Sequence, residues 1–144
     1  MTKYVYLAGP IEQTTKLESG DWRQKAYLSL EYDDYGTSSG IKTINPLRAD
    51  YDDQPHNQIS HKNMLDVKKC DLLLANMPKV INDRRPSYGT TMEIAWFAMQ
   101  LKPIVLVTDD IYLMNHPLIR TYVGWIYSDL DKATAVTKEL LESY

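Results

Sequence analysis

Leu72-Leu73-Leu74-Ala75-Asn76 is a short apolar run set between Cys70-Asp71 and Met77-Pro78. A run this brief that does not alternate polar with apolar has the pattern of a strand covered on both faces. Tyr4–Ala8 and Ile104–Val107 read the same way. Ile41–Ile44 and Val123–Tyr127 complete a set of five strand-like segments. Helical patterns lie between them. Trp22–Tyr32, Asn57–Lys69 and Gly89–Leu101 separate the strands, the last stopped by Lys102-Pro103, and an amphipathic Leu130–Leu141 ends the series. One short helix is expected within Ile111–Ile119, broken at His116-Pro117. Strands alternating with helices across short joints predict an α/β fold: a doubly wound, five-stranded parallel sheet of the flavodoxin/Rossmann-like kind. Its expected order is 2-1-3-4-5, with the switch point between strands one and three, and ligands sit outside the C-terminal strand ends there.

The 144 residues and net charge of −3 fit a single domain spanning 1–144, long enough to bury roughly two-thirds of its unfolded surface. The mild negative charge argues against a nucleic-acid polymer or a membrane surface as partner, whereas a small ligand needs only local positive charge. One cysteine, Cys70, excludes an internal disulfide and fits a cytoplasmic location. Its place before an apolar run reads as buried and inert. No signal peptide is visible, and no apolar run approaches the ~20 residues of a membrane span. The eleven tyrosines read as core-edge and subunit-interface residues. Asp50–Gln58 and Lys79–Pro86 read as polar loops.

Pro86-Ser87-Tyr88-Gly89-Thr90-Thr91-Met92-Glu93-Ile94-Ala95-Trp96 follows the third strand, where the topology places a ligand. Ser87, Thr90 and Thr91 offer hydroxyls, and Gly89 allows close backbone approach. Free N–H groups at the helix start favour an anion. The helix is apolar enough to be buried over much of its surface. Ile94, Phe97, Ala98 and Leu101 share one face, and Glu93, Trp96 and Gln100 lie on the adjacent one. A Glu here needs a path to solvent or a task. The rise from the turn that Glu93 covers to Ser87 is roughly 6–9 Å, about the separation of a nucleotide's 5′-phosphate from its anomeric carbon. Chemistry alone leaves two roles open for Glu93, catalysis or a capping box with Thr90.

Other candidates surround this segment. Gly9, after the first strand, suits close approach of a ligand, although the spacing of a dinucleotide fingerprint is absent. Arg23 and Arg48 are candidate phosphate partners, each weighed against a solvated surface role. Trp22 is a candidate for base stacking, weighed against a core position. Asn63 and Asp66, three apart, share a face of the second helix. Asp71 reads as structural. His56 and His61 match no ligand spacing, so no metal is expected, and no cofactor.

In order along the chain, Tyr6-Leu7-Ala8-Gly9-Pro10-Ile11, Trp22-Arg23, Pro46-Leu47-Arg48, Asp71-Leu72-Leu73-Leu74, Pro86–Ile94 and Lys102-Pro103-Ile104-Val105 resemble the nucleoside 2-deoxyribosyltransferase family. That family includes the 2′-deoxynucleoside 5′-monophosphate N-glycosidases. The resemblance covers about residues 4 to 107 and implies that Glu93 attacks the anomeric carbon to form a glycosyl-enzyme ester, resolved by water or a second base. It also implies an acid for the departing base. The position that usually carries this second carboxylate is Asn63 here, so Asp66, or a water held by Asn63, is the expected donor. Ser87 stands where base-exchanging members commonly carry Asp. A hydroxyl with free N–H groups suits a phosphate better than a carboxylate does.

The favoured expectation is therefore hydrolysis of a (deoxy)nucleoside 5′-monophosphate. Base exchange between deoxynucleosides is the alternative, and a non-catalytic nucleotide sensor a further one. A flavodoxin-like cofactor module is weighed against these. Its loops are usually rich in Ser, Thr and Gly directly after strand one, where this chain has Gly9-Pro10-Ile11-Glu12-Gln13. Base preference would depend on Ile11, Trp22 and Tyr51. The resemblance also implies a homodimer or higher homo-oligomer.

Overall fold

The computed structural model of the chain describes residues 1–11, 16–47, 55–80 and 86–143. Along it run β1 (Lys3–Ala8), α1 (Lys16–Glu31), β2 (Ile41–Ile44), α2 (His56–Lys69), β3 (Leu72–Asn76) and α3 (Tyr88–Met99). Then follow β4 (Ile104–Val107), α4 (Ile111–Met114), α5 (Pro117–Tyr122), β5 (Trp125–Tyr127) and α6 (Leu130–Glu142). The strands form one parallel sheet in the order β2-β1-β3-β4-β5, the expected topology. Its switch point lies between β1 and β3, where Tyr6 is in register with Leu73.

The apolar runs are double-faced because each face of the sheet has its own core. Val5, Leu7, Leu72, Leu74, Val105 and Val107 pack with Trp22, Ala26 and Leu30 of α1 and Ala133 and Leu141 of α6. The alternate residues Tyr6, Ala8, Leu73, Ala75, Ile104 and Leu106 pack with Val67 of α2, Ile94 and Phe97 of α3, and Ile119 of α5. Successive strand residues point to opposite faces, so a strand with helices on both sides needs apolar residues throughout. Each fully buried Leu contributes about 1.5–3 kcal/mol. Asp71, read as structural, accepts from the Tyr4 N–H at 2.8 Å and starts the β1–β3 pairing. Lys102 donates to the Lys68 and Val67 carbonyls, tying the end of α2 to the loop after α3. Among the described residues, no helix is long and apolar enough to cross a membrane.

Several boundaries differ from the sequence reading, among them the start of β5, which is Trp125 because Val123 is the C-cap of α5. Helix α1 begins at Lys16, before the apolar periodicity that starts at Trp22; buried Arg23 holds this early turn by donating to the Ser19 carbonyl. Helix α2 begins at His56, which takes His56–Gln58 out of the expected loop; residues 50–54 and 81–85 of the two expected loops lie outside the described residues. His116-Pro117 starts a helix as well as ending one. His116 Nδ1 accepts from the Leu118 N–H at 3.2 Å, and Pro117 occupies the first turn of α5, where its missing N–H costs nothing. Leu101 is not on the buried face of α3. It adopts φ 56°, and Lys102 N–H closes back onto the Phe97 carbonyl and Leu101 N–H onto that of Ala98, a left-handed helix terminus usually given to glycine.

Candidate active site

Helix α3 starts beyond the C-terminal end of β3, beside the switch point. Ser87 is its N-cap: Oγ accepts from the Thr90 N–H at 3.3 Å and lies 2.7 Å from Thr90 Oγ1. Thr91 Oγ1 donates to the Ser87 carbonyl at 3.0 Å. The cap therefore belongs to Ser87, and Thr90 lies inside the first turn, so the capping box that would have given Glu93 a structural role is not formed. By helix geometry the N–H groups of Tyr88 and Gly89 have no acceptor within α3. A Cβ built on Gly89 would meet nothing within 4 Å, so neither packing nor backbone conformation demands glycine there.

Three carboxylates among the described residues are buried: Glu31, Asp66 and Glu93. Glu31 accepts from the Thr43 N–H and hydroxyl and from Lys42. Asp66 pairs with Lys62 one turn earlier on α2. Glu93, 7 % exposed, leaves Oε2 without any hydrogen-bond partner. Burial pushes its carboxyl up to about 7, against the opposing pull of Tyr6 and then of the Arg23 charge. A buried carboxylate poised near neutrality, with one oxygen unpartnered, beside a sheet switch point has the marks of a functional group.

Tyr6 is the residue that sequence reading passed over. It projects from β1 into the α2–α3 side of the sheet, fully buried, and its hydroxyl has no partner. Burial raises the phenol well above its usual range, and the Glu93 and Asp66 charges raise it further. The hydroxyl lies near enough to Glu93 to steady its charge, yet no hydrogen bond of good geometry closes between them. The available signal was a phenol in a strand covered on both faces, where a buried O–H seeks a partner.

Trp22 takes the core position weighed against stacking, and Gly9 and Arg23 meet the chain itself. Arg23 is 1 % exposed and donates to the carbonyls of Leu7, Gly9 and Ser19. It fastens α1 to the end of β1 and acts on Glu93 through its charge. Trp22 belongs to the core on the α1–α6 side, with the guanidinium 4.8 Å from its ring centroid. A Cβ on Gly9 would stand 2.9 Å from both the Asn76 carbonyl and Trp22 Cζ2. The close approach that Gly9 permits is thus to the chain itself.

On α2 and its C-cap, Ile59, Asn63, Asp66, Val67 and Cys70 follow one another at helical spacing. All but half-buried Asn63 are buried. This is the face turned to β1 and α3, on which α2 packs. Asn63 Oδ1 is itself buried without a partner. Tyr6, Asn63 and Glu93 thus carry the buried unpartnered side-chain atoms found among the described residues, one from each of β1, α2 and α3. Ile11 is half-buried just past β1. Arg48 and Tyr51 lie outside the described residues. Among the described residues no cluster of His, Cys, Asp and Glu is suited to hold a metal.

A family model described as "Nucleoside 2-deoxyribosyltransferase like" matches residues 2–111. Solved structures share the fold. A 2-deoxyribosyltransferase from Leishmania mexicana is 18 % identical at a TM-score of 0.67, with 95 % of this chain and 97 % of that one covered. The 2-deoxyribosyltransferase of Bacillus psychrosaccharolyticus is 14 % identical at 0.64, covering 91 % and 90 %. The CMP N-glycosidase BcmB of Clostridium botulinum is 23 % identical at 0.58, covering 99 % and 100 %. No curated protein sequence matches the chain. The family model spans most of the sequence, including the first strand and the Ser87–Glu93 segment, and the chain belongs to the nucleoside 2-deoxyribosyltransferase-like family of glycoside-cleaving and glycosyl-transferring enzymes.

Proposed function

We propose that the protein breaks the N-glycosidic bond of a nucleoside-type substrate, with Glu93 as nucleophile, and passes the glycosyl group to an acceptor base. The observation that carries this reading is the unpartnered Oε2 of the Glu93 carboxylate beside the switch point. A carboxylate oxygen without a hydrogen bond is free to attack C1′ and to stabilise an oxocarbenium-like transition state before bonding to it. Tyr6 and Arg23 keep enough of it ionised near neutral pH. A neutral leaving base would take its proton from Asp66 or from a water on Asn63. Two of the structural relatives are described as deoxyribosyltransferases, which favours exchange as the leading outcome.

A second reading, hydrolysis of a nucleoside 5′-monophosphate, is favoured by the start of α3. Ser87, the N–H groups of Tyr88 and Gly89, and the open space over Gly89 suit a phosphate, with Thr90 fixing the Ser87 rotamer and Arg48 as a candidate helper. The relative described as a CMP N-glycosidase agrees with it. We further propose that two copies associate through α3, whose outer side exposes Tyr88, Met92 and Met99 in a helical stripe where the sequence reading expected burial. The experiment is to incubate the protein with deoxynucleosides and their 5′-monophosphates, with and without a second free base, and to separate the products by chromatography. A new nucleoside supports exchange, and free base with sugar phosphate supports hydrolysis. No product with any pair, from folded protein, sinks both and leaves a nucleotide sensor.

A further inference from the structure

Resting on the reading of Glu93 as nucleophile, we infer that the site is built for a leaving group that carries its own positive charge: a nucleoside or nucleotide of an N-alkylated purine or pyridinium-type base. Two observations lead there. The unpartnered buried atoms include two acceptors, Asn63 Oδ1 on α2 and Glu93 Oε2 on α3, helices that pack on each other, and the charges of both Glu93 and Asp66 act on the Tyr6 hydroxyl. Arg23, the described cation that acts on Glu93, donates to the backbone carbonyls of Leu7, Gly9 and Ser19. Buried acceptors left without donors are costly until a ligand supplies donors or positive charge.

The second observation is the supply of protons. Among the described residues on the packed faces of β1, α2 and α3, the Asn63 amide has no acidic proton, Asp66 is engaged by Lys62, and the Tyr6 phenol is made a weaker acid by its surroundings. A neutral base leaves as an anion unless it is protonated. A cationic base leaves neutral. As the C1′–N bond breaks, its electron pair passes to the ring nitrogen and cancels the positive charge there, while a Glu93 oxygen bonds to C1′. An acceptor base, or water on the hydrolysis reading, then attacks C1′, the ester C1′–O bond breaks, the Glu93 carboxylate is regenerated and the proton of the acceptor goes to solvent. No step needs an acid in the protein.

The test compares matched substrates that differ in base charge, 7-methylguanosine against guanosine and nicotinamide riboside against uridine, each with its 5′-monophosphate and 2′-deoxy form where stable. Each kcat/KM is divided by the uncatalysed rate, so that the intrinsic lability of the cationic substrates cancels. The expected result is an advantage of about 100-fold or more for the cationic member, the low end of what general-acid help is worth. Asn63→Asp, which restores a carboxylic acid, is expected to raise neutral-base turnover and so to narrow the advantage of the cationic member at least ten-fold. Equal or greater acceleration of the neutral member overturns the inference and leaves the Glu93 reading standing. An Asn63→Asp variant that changes both members alike also overturns it. No cleavage of either member by folded protein overturns the inference together with the reading beneath it.

Discussion

Replacing Glu93 by Gln tests the electrostatic state of the site without any knowledge of the substrate. In the folded protein burial holds the carboxyl near 7, against 4.5 for the free group. Between these values the folded state binds more protons than the unfolded one, so stability falls as pH rises through the window. The interval corresponds to roughly 3 kcal/mol at about 1.36 kcal/mol per pH unit. The penalty is absent well below 4.5, where both states are protonated, and complete above about 7, where both are ionised. Gln has the same shape and no charge. Glu93→Gln is therefore expected to match the wild type within about 1 kcal/mol at pH 4 and to exceed it by about 2–3 kcal/mol at pH 8. Urea unfolding at both pH values reads this directly, and the difference at pH 8 amounts to a melting shift on the order of 10 °C. A variant whose advantage is the same at pH 4 and pH 8 would refute the reasoning, because the Glu93 charge would then be solvated or paired.

Tyr6→Phe removes a group that pulls the Glu93 carboxyl down; the acidic limb of a kcat/KM profile should move to higher pH, with activity lost at pH 6 and largely retained at pH 8.5. An unmoved limb would show that the hydroxyl does not act on Glu93. Gly9→Ala places a methyl 2.9 Å from the Asn76 carbonyl and Trp22 Cζ2 and is expected to cost about 1–3 kcal/mol in denaturant unfolding; a neutral effect would mean that the β1 end can shift freely. Ser87→Ala should cost about 1 kcal/mol through loss of the cap and, on the monophosphate reading, weaken a 5′-monophosphate substrate more than its nucleoside. Equal loss on both removes Ser87 from phosphate binding. Met92→Lys sets a charge in the exposed α3 stripe and should lower the mass measured by light scattering on a sizing column; an unchanged oligomer places the contact elsewhere.

The sheet was legible because its physics is local. A strand covered on both faces must be apolar at successive positions, and Val5–Ala8, Leu72–Ala75 and Ile104–Val107 are. Helices were legible in their periodic parts, but their ends follow tertiary anchors. Arg23 holds a turn of α1 that carries no apolar stripe, and His116 caps a helix where His-Pro reads as a break. Arg23 and Gly9 stayed ambiguous in sequence for one reason: a charged or small residue near a strand end looks alike whether it meets a ligand or its own chain. Only the folded backbone shows that Asn76 and Trp22 already occupy the space over Gly9.

Sequence by itself determined the order of elements, the switch point and the presence of Glu93 one turn inside the helix that begins there. Periodicity and chain direction carry that information residue by residue. Which polar atoms end without partners was decided by tertiary structure alone. Tyr6, Asn63 and Glu93 are far apart in the chain, and each would be satisfied by water in isolation. Packing β1, α2 and α3 together removes the water without supplying partners. That desolvation raises the Glu93 carboxyl toward neutrality, which no count of residues along the chain can register.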